Sequence, residues 1–170
     1  MSHYRIIDKP AFEVMGEKTW ISGQDNDLFR LFWVQCREGG LFEAFEHIRG
    51  DQTGKITNST VLGISCVEND PNQRSFIYLI AIEKPETCAT DVPEIQKLAF
   101  YHVPAAKWAV FECVGKVPQS IMETEMFAFL EWLPSSGYEH AKAPEMEVYF
   151  PGNDGLSVDN YCEFWLPLTE

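Results

Sequence analysis

The sequence has little positive charge. Its 170 residues carry 13 lysines and arginines against 26 aspartates and glutamates, a formal net charge of −13. Lys9 with Lys18 and Lys107 with Lys116 come nearest to pairs, yet apolar and acidic residues separate them. A surface that tracks phosphates needs clustered cations, so direct nucleic-acid binding is excluded, and an anionic membrane is disfavoured for the same reason. No segment approaches 18 uninterrupted apolar residues, and Met1-Ser2-His3-Tyr4-Arg5 lacks the basic region and apolar run of a signal peptide. A soluble, cytoplasmic protein is expected. The five cysteines, Cys36, Cys66, Cys88, Cys113 and Cys162, form no C-x-x-C, which points to free thiols in a reducing compartment. His3, His47, His102 and His140 never fall at H-x-x-x-H spacing, and G-x-S-x-G, P-loop and G-x-G-x-x-G motifs are missing. No metal, cofactor or marked nucleophile is therefore expected.

Apolar material is plentiful, with 45% hydrophobic and 14% aromatic residues, so the chain must fold. At this length a single domain, 1–170, buries roughly 70% of the surface its unfolded chain exposes, enough for a core and a cavity. Tyr4 to Lys9 and Ala11 to Ile21 read as strands around Pro10. A helix capped by Asp25 or Asp27 follows, broken at Gly39-Gly40 before Leu41, Ala44, Phe45 and Ile48 resume its period. Thr60 to Val67 and Ser75 to Ile82 supply two strands, and 83–97 a connection. The order then restarts. Phe100 to Cys113 reads as a strand, and Ser120-x-x-Glu123 as the capping box of a helix with Met122, Met126, Phe129, Leu130 and Leu133 on its core side. Two strands, Glu145 to Phe150 and Tyr161 to Leu168, close the chain. This is an α+β class: a duplicated β-α-β-β, with pseudo-repeats at about 1–84 and 98–170, an antiparallel sheet, helices on one face and a central pocket.

Strand parity singles out candidate functional residues. Met146, Val148 and Phe150 share one face of their strand and Glu145, Glu147 and Tyr149 the other; Phe164, Leu166 and Leu168 oppose Glu163 and Trp165. If both apolar sets cover the helices, Glu147-x-Tyr149 and Glu163-x-Trp165 wall one pocket. A carboxylate among rings loses solvation, and a flat organic cation compensates it while stacking on the rings for ~0.5–2 kcal/mol per good contact. The alternative is that these faces are the wet side of a sheet. The acidic stretch Glu123 to Glu131 reads as the solvated face of its helix.

The run Val103-Pro104-Ala105-Ala106-Lys107-Trp108-Ala109-Val110-Phe111, with Gly115, Glu131-Trp132-Leu133-Pro134-Ser135-Ser136-Gly137-Tyr138, Pro144-Glu145-Met146-Glu147-Val148-Tyr149 and Cys162-Glu163-Phe164-Trp165-Leu166-Pro167-Leu168, resembles the GyrI-like family. That family is the effector-binding domain of several AraC- and MerR-type transcription regulators. The resemblance implies a pocket for lipophilic, cationic aromatic drugs and dyes. Glu147 would face the ligand through the P-x-x-E-x-Y motif, with Tyr149, Glu163, Trp165 and the further tryptophans Trp33, Trp108 and Trp132 as lining. Trp132 either reaches the cavity or packs its helix. Family regulators also carry a helix-turn-helix domain, for which this sequence has neither the length nor a basic recognition helix. Stand-alone relatives include drug-binding proteins encoded on integron gene cassettes, small-molecule hydrolases and a gyrase inhibitor. A binding module is the leading expectation, tied to transcription regulation or drug resistance. A hydrolase using Glu147 as general acid or base, a protein-interaction module, and a separate DNA-binding or other protein partner stay open.

Overall fold

A computed structural model describes residues 3–23, 27–72, 74–88, 93 and 95–170. The strands are β1 (Tyr4–Lys9), β2 (Phe12–Ile21), β3 (Val61–Cys66), β4 (Phe76–Glu83), β5 (Ala99–Val103), β6 (Ala106–Val114), β7 (Glu139–His140), β8 (Glu145–Tyr149) and β9 (Tyr161–Thr169). The helices are α1 (Asp27–Glu38), α2 (Leu41–Arg49), α3 (Gln119–Phe127) and the short α4 (Leu133–Ser136), with a π-helical segment, Ala128–Trp132, joining the last two. No helix among the described residues is long and apolar enough to cross a membrane.

The nine strands among the described residues belong to one antiparallel sheet in the order β1-β6-β9-β8-β3-β4-β2-β5, with β7 on β9. The inner six strands fall into two three-stranded units, β6-β9-β8 and β3-β4-β2, that meet at the β8–β3 pair. Each unit is one strand, a helical layer and two more strands in chain order. The outermost strands are exchanged: β1, which precedes the first unit, pairs with β6, and β5, which precedes the second, pairs with β2.

This exchange bends the sheet. Only Pro10 and Ala11 separate β1 from β2, and only Pro104 and Ala105 separate β5 from β6. Three Cα steps reach about 11 Å, yet these strand pairs sit toward opposite ends of the strand order. The sheet must therefore curl until its ends meet. Proline suits both crossings, because it removes a donor where the ladder breaks. The strand expected over Phe100 to Cys113 is thus two strands with different partners.

Curling gives the sheet an inner and an outer face. Val14, Leu62, Leu79, Trp108, Val110, Met146, Val148 and Trp165 share a cluster on the inner face. On the outer face α1 and α2 lay Phe32, Cys36, Leu41, Phe45 and Ile48 over Met15, Tyr78, Ile80 and Ile82. There α3 and the π-helical segment lay Ile121, Ala128 and Trp132 over Phe111, Cys162 and Phe164.

Four local expectations are corrected or redefined. The cap expected at Asp25 lies outside the described residues, and Asp27 is the first residue of α1. The capping box at Ser120 does not form: α3 starts after Pro118, so Ser120 sits inside the first turn, buried, with its Oγ unpartnered among the described residues. The expected apolar stripe of this helix is only partly turned to the core: Phe129 and Leu133 pack against it, while Met122, Met126 and Leu130 are exposed. The series Ile121, Thr124, Ala128, Trp132 is also helical in period, and it wins because Trp132 fills the space over Phe111 with their centroids 5.2 Å apart. Finally, the apolar sets of β8 and β9 do not share a face. Register pairs Val148 with Glu163 and Glu147 with Phe164, so Met146 and Val148 go to the inner face while Phe164, Leu166 and Leu168 go to the helical one.

Candidate ligand-binding site

On the outer face of β8 three residues in a row carry function-bearing groups: Glu145, Glu147 and Tyr149. Glu145 is conventionally satisfied. Arg74 grips it with both terminal nitrogens at 3.3 Å, and His140 Nε2 lies 2.8 Å from Oε2. Phe129, from the π-helical segment, packs against both partners, with its centroid 5.2 Å from the Arg74 guanidinium and 6.3 Å from the His140 ring.

Glu147 is treated differently. Its Oε1 accepts hydrogen bonds from the phenols of Tyr149 at 2.6 Å and Tyr78 at 3.0 Å. Tyr78 in turn accepts the indole N–H of Trp33 at 3.1 Å. No ion pair reaches this carboxylate among the described residues, and Oε2 takes no hydrogen bond from them. The rings close around it: Trp33 meets Tyr149 edge-on at 5.2 Å, Phe29 meets Tyr78 edge-on at 4.9 Å, and Phe42 stacks on Trp33 at 6.0 Å. Thus α1 and α2 supply the roof, β4 and β8 the floor.

Backbone spacing makes this possible at one position. Gly63 on β3 stands opposite Glu147 in register. A Cβ there would lie 2.3 Å from Tyr78 Oη and 2.8 Å from Glu147 Oε1. A side chain at 63 would occupy the space where phenol and carboxylate meet.

The electrostatics follow from this packing. Burial pushes the Glu147 carboxyl above its ordinary range; the two phenolic hydrogen bonds oppose the rise and nearby Glu145 adds to it. Burial and the adjacent carboxylate also hold Tyr78 and Tyr149 well above the usual phenol range, so both act as donors. A second acid acts on the same place. Glu125 of α3 is raised well above a normal carboxyl by burial, then by Glu147, Glu145 and Cys113, with Arg74 opposing. The acidic helix face expected over Glu123 to Glu131 is therefore split. Glu123 and Glu131 are exposed, while Glu125 is half-buried within the field of Glu147.

Of the residues expected to line one pocket, the structure brings together Glu147, Tyr149 and Trp33. Trp132 lies on the same face but packs against Tyr4, Phe111 and Tyr138. Glu163, Trp165 and Trp108 belong to the inner face: Trp165 donates to Glu163 at 3.0 Å and its ring meets Trp108 at 5.7 Å. The sheet separates them from Glu147. Sequence reasoning missed Tyr78, Phe29, Phe42 and Glu125. A glycine interrupting the β-branched run of β3 was the available signal. Two cavities, of about 230 and 280 Å³, lie away from the aromatic cage.

Comparison with known proteins agrees with this architecture. The transcriptional regulator BrlR of Pseudomonas aeruginosa is 28% identical over 167 residues, covering 98% of this chain but 55% of BrlR, so the chain spans about half the length of that relative. The structure of SAV2435 bound to tetraphenylphosphonium superimposes with a TM-score of 0.76 at 21% identity, covering 98% of this chain and 94% of that one. The integron cassette protein VCH_CASS2, from the mobile metagenome of Vibrio cholerae, does so with a TM-score of 0.60 at 15% identity, covering 98% and 95%. At these identities the two structures establish the fold. Residues 5–168 match the Cass2 family throughout, and the chain belongs to that family of integron-associated effector binding proteins.

Proposed function

We propose that the chain binds hydrophobic cationic aromatic molecules over Glu147, between the α1–α2 roof and the β4–β8 floor. The observation that carries this reading is a carboxylate enclosed by Trp33, Tyr78 and Tyr149 with phenols as its partners and no cation paired to it among the described residues. An organic cation supplies the missing charge, and its rings replace those of the cage. A delocalised cation loses less hydration on entry than an ammonium ion does. Tetraphenylphosphonium, found in the structure of SAV2435, is of this chemical kind. Entry requires Trp33 and Phe29 to lift with α1, since they cover the floor phenols.

Because BrlR is a transcriptional regulator, occupancy of this site is the natural input to a regulatory response or to drug sequestration. The test is intrinsic fluorescence with rhodamine 6G. Saturable quenching at one dye per chain, with a rise in melting temperature that follows mass action, supports the reading. Absence of saturable quenching removes it, and turnover of a strained electrophile would replace binding with catalysis.

A further inference from the structure

The inner face carries its own groove, of about 280 Å³, the liquid volume of about nine water molecules. One wall is the inward stripe of β1, with Arg5 and Lys9. The other is the loop before β3, where Asn58 sits at a φ of 61°. Val148, Phe150, Tyr161, Glu163 and Trp165 line it from β8, β9 and the hairpin between them. Phe150 and Tyr161 pack with centroids 5.4 Å apart.

Its charge balance is opposite to that of the Glu147 cage. Glu163 is 3% exposed and fully engaged: Arg5 Nη2 donates at 3.2 Å, Tyr161 Oη at 2.6 Å and Trp165 Nε1 at 3.0 Å. Arg5 thereby has its orientation fixed while its side chain remains 48% exposed. Nη2 is committed to Glu163 and Tyr161 also engages the guanidinium, which leaves further donors of its five-donor fork for a ligand. Lys9 has no ion pair among the described residues, since its neighbour Asp8 points the other way to Lys107. Glu112, the register partner of Glu163 on β6, does not line the groove. Beneath the floor, Trp108 is fully buried against Trp165 and its indole N–H has no acceptor among the described residues. The groove thus combines aromatic walls, a neutralised carboxylate and surplus donors.

We propose that this inner-face groove is a second ligand site, for a planar aromatic carboxylate whose rings lie against Trp165 and Phe150 and whose acid group meets Arg5 and the Lys9 side of the wall. Its ligand class is the reverse of the one read for the Glu147 cage, and it does not depend on that reading. A flat anion enters here because Arg5 and Lys9 face the groove, while the acid among its lining residues, Glu163, is already paired and Glu112 beside it stays outside the lining. A cation would meet Arg5 and Lys9 head-on.

Titration of the full chain with 2-naphthoate, followed through the indole ¹⁵N–H resonances, tests this. Trp165 and Trp33 each donate a defined hydrogen bond on opposite faces, so their signals report the two sites separately once assigned by Trp→Phe variants. The expected result is a saturable shift of the Trp165 signal with the Trp33 signal still. Lys9→Met should weaken binding at least threefold. Arg5→Met alone strands a buried carboxylate, so the double variant Arg5→Met/Glu163→Gln is used, and it should weaken binding at least tenfold. The neutral 2-naphthalenemethanol should bind no better than the double variant binds 2-naphthoate. No saturable shift at Trp165, a shift at Trp33 instead, or unchanged affinity in both variants overturns the proposal.

Discussion

Replacing Gly63 by alanine tests the geometry of the cage without touching any group that carries its chemistry. The new methyl would sit 2.3 Å from Tyr78 Oη, 3.1 Å from Tyr78 Cζ and 2.8 Å from Glu147 Oε1. Tyr78 is wholly buried, so it cannot swing into solvent, and either the phenol or the β3–β4 spacing has to move. Overpacking of this kind costs ~1–3 kcal/mol, and losing the Tyr78 bond to a carboxylate adds ~1.5–3 kcal/mol. Alanine recovers ~0.5–1 kcal/mol of backbone entropy relative to glycine. The net expectation is about 1.5–5.5 kcal/mol of destabilisation, or roughly 3–22 °C in melting temperature for a chain of this size. Urea unfolding of Gly63→Ala, Tyr78→Phe and the double variant makes a thermodynamic cycle. With Oη gone the closest contact disappears, so alanine should cost at least 1 kcal/mol less in the Tyr78→Phe background. Costs that add to within ~0.5 kcal/mol would refute the account of Gly63 as the space in which phenol and carboxylate meet.

Two further outcomes follow from buried carboxylates. Glu83, at 9% exposure, accepts the backbone N–H groups of Lys55, Ile56 and Thr57 and the Thr57 hydroxyl, which ties the loop before β3 to the end of β4. Glu83→Ala leaves those donors unpaired and should cost ~3–5 kcal/mol by urea unfolding, with a wild-type-like value removing the loop anchor. Glu125 has its carboxyl raised above the ordinary 4.5, so the folded state holds its proton more tightly than the unfolded chain does. Its contribution is therefore a penalty that begins as pH rises past about 4.5 and grows until the folded group ionises. Glu125→Gln should melt above wild type at pH 8, with the gap closing as pH falls toward 4.5. A constant gap across pH would remove Glu125 from the field of Glu147.

The sequence carried a good deal of this. Prolines at 10 and 104, the Gly39-Gly40 break and the alternation in β8 and β9 set most strand and helix positions. It also carried Glu147-x-Tyr149 as a pair on one face. What it left open was register. Parity within a strand is local, but whether Glu163 joins Glu147 depends on how the turn between β8 and β9 aligns them, and a shift of one residue turns a whole strand over. The observed alignment sets Glu147 opposite Phe164 and Glu163 opposite Val148, which sends the two acids to opposite faces. The strand break at Pro104 was visible, yet the exchange of β1 and β5 between units was not, because it rests on pairing between residues about a hundred positions apart. For α3 and the segment after it, two stripes had helical period, and the sheet accommodated Phe129 and Leu133 of the larger apolar one but not Met122, Met126 or Leu130.

The two acidic sites now differ in kind. Glu163 has three donors, one of them a cation, whereas Glu147 has phenols alone among the described residues. The unpaired charge of Glu147 should therefore show as a preference for cations over neutral molecules of the same shape. Dissociation constants for methyltriphenylphosphonium and for neutral triphenylphosphine oxide, measured by calorimetry on the wild type and on Glu147→Gln, separate charge from shape. Glutamine keeps an acceptor for both phenols, so the cage should persist. The wild type should prefer the cation by ~1.5–3 kcal/mol, roughly ten- to a hundredfold, and the variant should lose that preference while binding the neutral oxide as before. A cation that binds the variant as tightly as the wild type, or a neutral oxide that matches it on the wild type, would contradict the account.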